Sequence, residues 1–167
     1  MRTVKLLGLL FLYSQSLLAS TDFLAQMIVK KKSKTETVPH QNFADKSNNA
    51  FFKTHGLLLF YSSKCTHCLQ FAPVVKQFVD KNGVEILPLS FDNQPIPEFE
   101  HFLPASRDWV SVAFGNKEIN YPALFIINPK RLSIYPVSTG ALSLSELQDR
   151  IALLIEKINA YEAKEAA

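Results

Sequence analysis

The sequence predicts an α/β fold in which a central mixed β-sheet is flanked by helices. Residues 57–61 form a short, continuously apolar run, which is typical of a strand buried on both faces. Directly after this run, and again near the C-terminus, apolar residues recur at the spacing of an amphipathic helix. A chain of 167 residues can bury one sizeable core but not two large ones. We therefore expect one folded domain with tails.

The first helix is expected to follow Cys65, because apolar residues recur at helical spacing after it. It should end at the Asn82-Gly83 pair, a typical helix stop. Residues 85–90 then predict a second strand, although Pro88 counts against a central position. A strand, a helix and a strand in succession normally form a right-handed crossover, so we expect the two strands to lie parallel.

Residues 91–120 have the least regular pattern, because three prolines interrupt them. We expect an inserted helical segment here, with short helices at residues 98–103 and 107–114. Beyond it, residues 123–127 predict a strand, and residues 132–137 predict its antiparallel partner. This partner strand contains a proline, which indicates a sheet edge.

The last predicted element is an amphipathic helix that opens with a capping box from Ser143 to Glu146. Its apolar stripe must pack on a face of the sheet. The stripe consists of Leu144, Leu147, Ile151, Leu154, Ile155 and Ile158. We therefore expect the folded domain to span residues 51–160 and a C-terminal tail to span residues 161–167.

Residues 1–20 predict a cleaved signal peptide. Basic residues precede a mostly apolar, uncharged stretch at residues 6–18, and small residues follow it. An uncleaved membrane anchor is the alternative, but a bilayer span needs about 20 apolar residues and Asp22 interrupts too early. Residues 21–50 are largely polar and predict a flexible linker. We expect export to the periplasm, a compartment in which disulfides persist.

Cys65 and Cys68 are the only cysteines of the chain, so it cannot form the framework of several disulfides that stabilises small secreted folds. A purely structural bridge between them would stabilise the fold by only about 2 kcal/mol. A zinc site would need more ligands, and His40, His55 and His101 show no paired spacing. The net charge of +3 does not indicate a nucleic-acid surface. We expect no metal, no cofactor and no nucleic-acid partner.

The cysteine pair is expected at the N-terminus of the first helix, where backbone N–H groups and the helix dipole favour a thiolate. Cys65 would then be the attacking thiol, and the less exposed Cys68 the resolving thiol. Lys64, Thr66 and His67 would stabilise the thiolate. A histidine at position 67 also favours donating or rearranging disulfides, unless it is merely an exposed polar residue.

Four features together resemble the thioredoxin superfamily: the apolar residues 57–61, the motif Cys65-Thr66-His67-Cys68, a proline at position 73, and the segment Tyr121-Pro122-Ala123-Leu124-Phe125. The resemblance implies a thioredoxin-like fold. One position departs from it, because many thioredoxins carry a buried acid beneath the dithiol where this chain has Leu59. Proton transfer from the resolving thiol would then use water, His67 or a group that the sequence does not identify.

The resemblance also implies roles for residues outside the cysteine motif. Pro122 is expected to follow a cis peptide bond and to face the dithiol, and the backbone of Tyr121 is expected to pair with the substrate chain. Pro73 is expected to bend the first helix behind the site. The aromatic residues Tyr61, Phe91 and Tyr121 would either line a groove for client proteins or pack in the core.

Within that superfamily, the layout of residues 51–158 is similar to the TrbB family of type-F conjugative transfer thiol-disulfide isomerases, which are DsbC/DsbA-like. This similarity implies a periplasmic enzyme that forms or isomerises disulfides in components of the pilus and the mating apparatus, together with a membrane redox partner. Two alternatives stay open. One is a thiol-disulfide reductase of the cytochrome-maturation type, and the other is a non-catalytic, peptide-binding assembly factor.

Overall fold

The computed structural model describes residues 50–165 of the chain. The predicted signal peptide and nearly all of the predicted linker lie outside the described residues. At the predicted start of the domain, Phe51 and Phe52 are buried in the core. Among the described residues, none of the helices is long and apolar enough to cross a membrane.

A five-stranded mixed sheet with the order β3-β2-β1-β4-β5 forms the centre of the domain. Its strands are β1 (Gly56–Tyr61), β2 (Ile86–Ser90), β3 (Leu103–Pro104), β4 (Ala123–Asn128) and β5 (Ser133–Thr139). β1 is parallel to β2 and antiparallel to β4, and β5 is antiparallel to β4 at the sheet edge. β3 pairs with β2 at Leu89 and Ser90, beyond Pro88, so this proline need not donate an N–H group towards β3.

Within the described part of the chain, three helices accompany the sheet: α1 (Thr66–Asn82), α2 (Arg107–Phe114) and α3 (Leu144–Glu165). α1 connects the parallel strands β1 and β2, as the sequence predicted, and ends at Gly83, whose positive φ of 62° suits a residue without a side chain. α3 opens with the predicted capping box, in which Ser143 Oγ accepts from Glu146 N at 3.3 Å and Glu146 Oε2 accepts from Ser143 N at 2.8 Å. The arrangement is the predicted thioredoxin-like fold.

The two faces of the sheet bury different groups of side chains, since alternate residues of a strand point to opposite faces. Leu57, Leu59 and Tyr61 of β1 belong to one continuous core with buried residues of α1 and α3. On the opposite side, Phe60 of β1 contacts the rings of Phe114 in α2 and Phe125 in β4, with ring centroids 5.1 and 5.7 Å away. Both faces of β1 are therefore buried, as its continuous apolar run predicted.

The predicted helix at residues 98–103 is wrong. The chain there forms an isolated antiparallel bridge between Ile96 and Phe99, both buried, and then the short strand β3. Pro95 and Pro97 remove backbone donors at the start of this segment, which disfavours a helical ladder. The inserted segment therefore contains one helix, α2, and adds an edge strand to the sheet.

The predicted tail boundary also needs correction, because α3 continues to Glu165. Beyond residue 160, Glu162 is hydrogen-bonded to the sheet: its Oε1 accepts from Asn128 Nδ2 at 2.9 Å and from Tyr135 Oη at 3.0 Å. These contacts fix the last turns of the helix. Only the last two residues of the expected tail lie outside the described chain.

Candidate active site

The dithiol lies where β1 ends and α1 begins. Residues 62–65, which we call the dithiol loop, connect the two elements, and Cys65 is the N-cap of α1. The Cys65 sulfur accepts a hydrogen bond from Cys68 N at 3.3 Å, as a serine or aspartate oxygen does in an ordinary N-cap. A backbone donor aimed at sulfur stabilises the thiolate more than the neutral thiol. The predicted placement at a helix N-terminus is confirmed.

The two thiols differ in exposure, and both are free. Cys65 is partly exposed, whereas Cys68 is buried with 1% of its surface accessible. Burial raises the pKa of the Cys68 thiol to about 12, and a side-chain hydrogen bond with Cys65 acts in the same direction. Cys65 is therefore the sulfur that a large disulfide substrate can reach, and Cys68 stays protonated beneath it.

The three residues expected to stabilise the thiolate, Lys64, Thr66 and His67, are all exposed. Within the described part of the chain, no side-chain hydrogen bond joins any of them to a cysteine sulfur. Lys64 instead donates its backbone N–H to Ser62 Oγ at 3.4 Å. The predicted role of Lys64, Thr66 and His67 in stabilising the thiolate therefore stays a prediction.

The Tyr121–Pro122 peptide bond is cis, as the resemblance implied. β1 and β4 are antiparallel, with Phe60 opposite Ala123, so this segment reaches the end of the sheet at which the dithiol loop begins. Pro122 is buried, and its carbonyl accepts a hydrogen bond from Gly140 N at 2.7 Å. The structure thus places the cysteine pair and the cis-proline segment at the same end of the central strands.

The three aromatic residues considered for a client groove have different environments. Tyr61 is fully buried and its hydroxyl donates to the Gln94 carbonyl at 2.9 Å, so it belongs to the core. Tyr121 is 43% exposed and its ring centroid lies 5.2 Å from that of Phe91. Phe91 and Tyr121 therefore form an accessible aromatic pair next to the cis-proline segment.

Asp92 is a site residue that sequence reasoning missed. It comes two residues after the end of β2, and its carboxylate accepts hydrogen bonds from the dithiol loop. Ser63 donates its backbone N–H at 2.9 Å and its hydroxyl at 2.7 Å, and the Ser62 hydroxyl donates at 2.9 Å. The signal was present in the sequence, because the carboxyl ends of adjacent parallel strands meet at one edge of a sheet. An acid just after β2 therefore had to lie near the loop after β1.

The ionisation of Asp92 is fixed by these contacts. Burial acts to raise its pKa, but the hydrogen bonds from Ser63, Ser62 and Ser90 outweigh this and hold the pKa of the carboxyl well below its usual range. At the position of the usual buried acid, Leu59 is indeed a fully buried core residue. An acidic side chain does lie near the dithiol, but it comes from a different strand end and stays ionised.

A metal has no evident place at this site. Within residues 50–165, no group of three or more His, Cys, Asp or Glu side chains is arranged to hold a metal ion. His55, one of the histidines considered for zinc, is buried and lies 3.2 Å from Glu162 Oε1 instead.

Comparison with known proteins identifies relatives of this chain. A model of the family described as TraF, F plasmid transfer operon protein, matches residues 30–152. Protein TrbB of Escherichia coli (strain K12) is 27% identical over 100 residues, which is 60% of this chain and 55% of TrbB. Protein TraF of the same strain is 30% identical over 93 residues, which is 56% of this chain and 36% of TraF. The match thus spans about half of TrbB and about a third of TraF, and the predicted similarity to TrbB is confirmed.

Two solved structures show a likeness at low sequence identity. The structure of MTB DsbF has a TM-score of 0.44 and 21% identity, over 64% of this chain and 84% of that one. StoA from Bacillus subtilis has a TM-score of 0.42 and 17% identity, over 59% of this chain and 82% of that one. The family assignment rests instead on the match to residues 30–152, which is well over half of the chain. The chain belongs to the TraF family of F plasmid transfer operon proteins.

Proposed function

We propose that this chain is a periplasmic thiol-disulfide oxidoreductase that forms or isomerises disulfides in proteins of the conjugative transfer apparatus. The observation that carries the proposal is the asymmetry of the two thiols. The Cys65 sulfur is accessible and accepts a backbone N–H, whereas Cys68 is buried directly behind it. A purely structural cysteine pair has no need of one exposed and one buried sulfur at a helix N-terminus.

The isomerase reaction begins with attack by the Cys65 thiolate on a disulfide of a client protein. A bond forms between the Cys65 sulfur and one client sulfur, the client S–S bond breaks, and the second client sulfur leaves as a thiolate. That thiolate can attack another disulfide of the same client, and a final attack on the mixed disulfide regenerates Cys65. The cycle consumes no oxidant, because the number of disulfides is unchanged.

Cys68 releases a client that is held in an unproductive mixed disulfide with Cys65. Its sulfur attacks Cys65, a Cys65–Cys68 bond forms, and the client leaves with its thiol restored. Because burial raises the pKa of Cys68 to about 12, this attack requires that its proton be removed or that the helix end open first.

Disulfide formation runs through the same atoms in the opposite direction. A client thiolate attacks the Cys65–Cys68 disulfide, a second client thiolate displaces Cys65, and two electrons pass to the pair. A membrane redox partner that carries a disulfide would then accept these electrons. Lys64, Thr66 and His67 are exposed next to Cys65 in sequence, and the positive charge of Lys64 there favours the reduced thiolate and hence an oxidising pair.

The cis-proline segment is proposed to bind the client chain. Tyr121 is exposed beside the partly exposed Phe91, and Pro122 is buried and held by Gly140 at the same sheet edge as the dithiol. A backbone segment at this place can pair with an extended client peptide in the manner of an added strand. The two rings would then contact apolar client side chains next to the disulfide.

The test is refolding of scrambled ribonuclease by the purified mature protein and by Cys65→Ser, Cys68→Ser and double variants. The wild type should restore ribonuclease activity, and Cys65→Ser should reduce the rate at least about a hundredfold because the attacking sulfur is gone. Cys68→Ser should keep part of the isomerase rate and accumulate a mixed disulfide. Ser133→Ala, at the far end of the sheet, serves as the control and should leave the rate unchanged.

The same variants separate the enzyme from an assembly factor. If the double variant supports DNA transfer between cells as well as the wild type does, the chain acts as a peptide-binding factor and the proposal fails. If the wild type reduces insulin readily but does not rescue scrambled ribonuclease, the reductase alternative replaces the isomerase.

A further inference from the structure

Asp92 joins the dithiol loop to the end of β2, about 30 residues further along the chain. Its Oδ2 accepts from the Ser62 hydroxyl at 2.9 Å, from Ser63 N at 2.9 Å and from the Ser63 hydroxyl at 2.7 Å. Its Oδ1 lies 3.1 Å from Ser63 N and 2.9 Å from the hydroxyl of Ser90, the last residue of β2. One carboxylate thus fastens the start of the dithiol loop to the end of the neighbouring strand.

The contacts of Asp92 with Ser62 and Ser63 are linked to Cys65 by one further backbone hydrogen bond. The Ser62 carbonyl accepts from Cys65 N at 3.2 Å, so the loop is closed as a tight turn whose base is held by Asp92. Phe91 N donates to the Tyr61 carbonyl at 2.9 Å and keeps the two strand ends together. A change at Asp92 therefore acts on the position of Cys65 without touching either sulfur.

The charge of Asp92 is not neutralised by its partners. All of its hydrogen-bond donors are hydroxyls or a backbone N–H, and within residues 50–165 no ion pair to a Lys, Arg or His side chain involves it. Because the pKa of the carboxyl is held well below its usual range, it is negative at every working pH. After burial and hydrogen bonding, this charge also contributes to the raised pKa of Cys68.

We propose that Asp92 is a positioning residue of the dithiol: it holds the dithiol loop in place and sets a permanent negative charge beside the pair, which makes the pair less oxidising. The inference rests on the proposed function. A nearby negative charge disfavours a thiolate, and so destabilises the reduced dithiol relative to the neutral disulfide. The helix N-terminus and the positive charge of Lys64 act in the opposite direction. Asp92 would thus help to set a redox potential at which the dithiol can both attack a client disulfide and release the client.

The test compares Asp92→Asn with Asp80→Asn in redox titrations of the mature protein against glutathione. Asp80 lies on the same helix as the dithiol, near its other end, where it is exposed and pairs with Lys76. Both variants remove one negative charge. Asp92→Asn should shift the equilibrium constant about tenfold towards the reduced dithiol, equivalent to about 30 mV, and Asp80→Asn should not shift it. The ultraviolet absorbance of the thiolate should also appear at lower pH in Asp92→Asn.

A second variant separates the effect of the Asp92 charge from the effect of its hydrogen bonds to the dithiol loop. Ser63→Ala removes one hydrogen bond to Asp92 but keeps the negative charge. It should make the potential more negative, the opposite direction from Asp92→Asn, because the remaining charge has one hydrogen-bond donor fewer. The difference between the wild type and Asp92→Asn should also shrink at high salt, because exposed charges are screened.

Three results would overturn the inference: equal potentials for the wild type and Asp92→Asn, a rise in the potential of Ser63→Ala, or the same rise in Asp80→Asn. Should Asp92→Asn fail to fold, a more negative potential of Ser63→Ala supports the inference, and an unchanged or raised potential overturns it. A wild type with no isomerase, oxidase or reductase activity refutes the proposed function instead. If the wild type is active but its redox potential equals that of Asp92→Asn, only this inference is refuted.

Discussion

Two carboxylates at opposite ends of the sheet, Asp92 and Glu162, each collect several hydrogen bonds from segments that are distant in sequence. Asp92 joins the dithiol loop to the end of β2, and its donors are uncharged. Glu162 joins the end of α3 to the opposite end of the sheet, where its neighbours include a histidine and an arginine. β1 spans six residues between the two regions, a separation of roughly 20 Å.

The contacts around Glu162 attach the end of α3 to the sheet. Glu162 Oε1 lies 3.2 Å from Nε2 of His55, whose side chain is 3% exposed. The same oxygen accepts from the buried Asn128 at 2.9 Å and from Tyr135 at 3.0 Å, and Arg131 lies 3.6 Å from Oε2. Asn128, Tyr135 and His55 thus share one carboxylate oxygen of α3 as a hydrogen-bond partner.

Similar hydrogen-bond patterns at the two carboxylates have different effects on the protein. At Glu162 the carboxylate pairs with the cationic Arg131 and lies far from either cysteine, so its contribution is to stability. At Asp92 the charge has no counterion among residues 50–165 and acts on the thiol of Cys68, so its contribution is to chemistry. A substitution in one region should therefore leave the property governed by the other unchanged, since distant sites usually act additively.

The largest effect on stability is expected for Glu162→Ala. It removes the acceptor shared by Asn128 and Tyr135 and leaves the buried His55 without its carboxylate, which should lower the free energy of unfolding by about 3 kcal/mol. The redox potential of the dithiol should stay that of the wild type. Urea unfolding and glutathione titration of the same preparation measure the two properties.

Glu165→Ala is the matched control for that substitution. Glu165 is exposed on the next part of the same helix and pairs with Arg131 at 3.4 Å. An exposed pair of this kind contributes little, so the loss should stay within about 0.5 kcal/mol. Equal losses in the two variants would show that the Glu162 contacts do not fasten the helix. A shift in the potential of Glu162→Ala would show that the two ends of the sheet are coupled.

A smaller effect should appear in the pH dependence of stability. Burial acts to raise the pKa of Glu162, but hydrogen bonds from Asn128, His55 and Tyr135 prevail and lower it. A depressed carboxyl pKa stabilises the fold above the unfolded value of about 4.3, and this stabilisation is lost as the pH falls through the folded pKa. The stability difference between the wild type and Glu162→Gln should therefore be constant above about pH 5 and should narrow below it.

Denaturant unfolding from pH 6 down to pH 3 measures this difference. Asp92 loses its own stabilising contribution at acid pH in both proteins, so its effect cancels in the comparison. His55, Arg131, Tyr135 and Glu165 surround the substituted position and are present in both. A difference that stays constant down to pH 3 would contradict the assignment of the lowered pKa to Glu162.

Much of the dithiol region could be predicted from the sequence, because its signals are local. The apolar run of β1, the spacing from Cys65 to Cys68 and the Gly83 helix stop each lie within a few residues of the feature they define. The asymmetric burial of the two sulfurs followed from the helical position of Cys68. The cis bond before Pro122 came from the family resemblance and not from local sequence.

The contacts of Asp92 and Glu162 were missed because they depend on pairing between distant segments. Asp92 lies 29 residues from Ser63, and Glu162 lies 107 residues from His55. Residues 98–103 were misassigned for a related reason, because the chain there completes an edge of the sheet at Leu103 by pairing with β2. Tertiary pairing outweighed local pattern in each of these cases.

The central claim is that the Cys65–Cys68 pair is an oxidising or isomerising dithiol, and its equilibrium redox potential tests this most directly. The purified mature protein is equilibrated with glutathione buffers and the oxidised fraction of the pair is measured. The account predicts a single two-electron transition between about −120 and −180 mV, the range of DsbA and protein disulfide isomerase. A potential near about −270 mV, that of thioredoxin, would contradict it and assign the chain to the reductases.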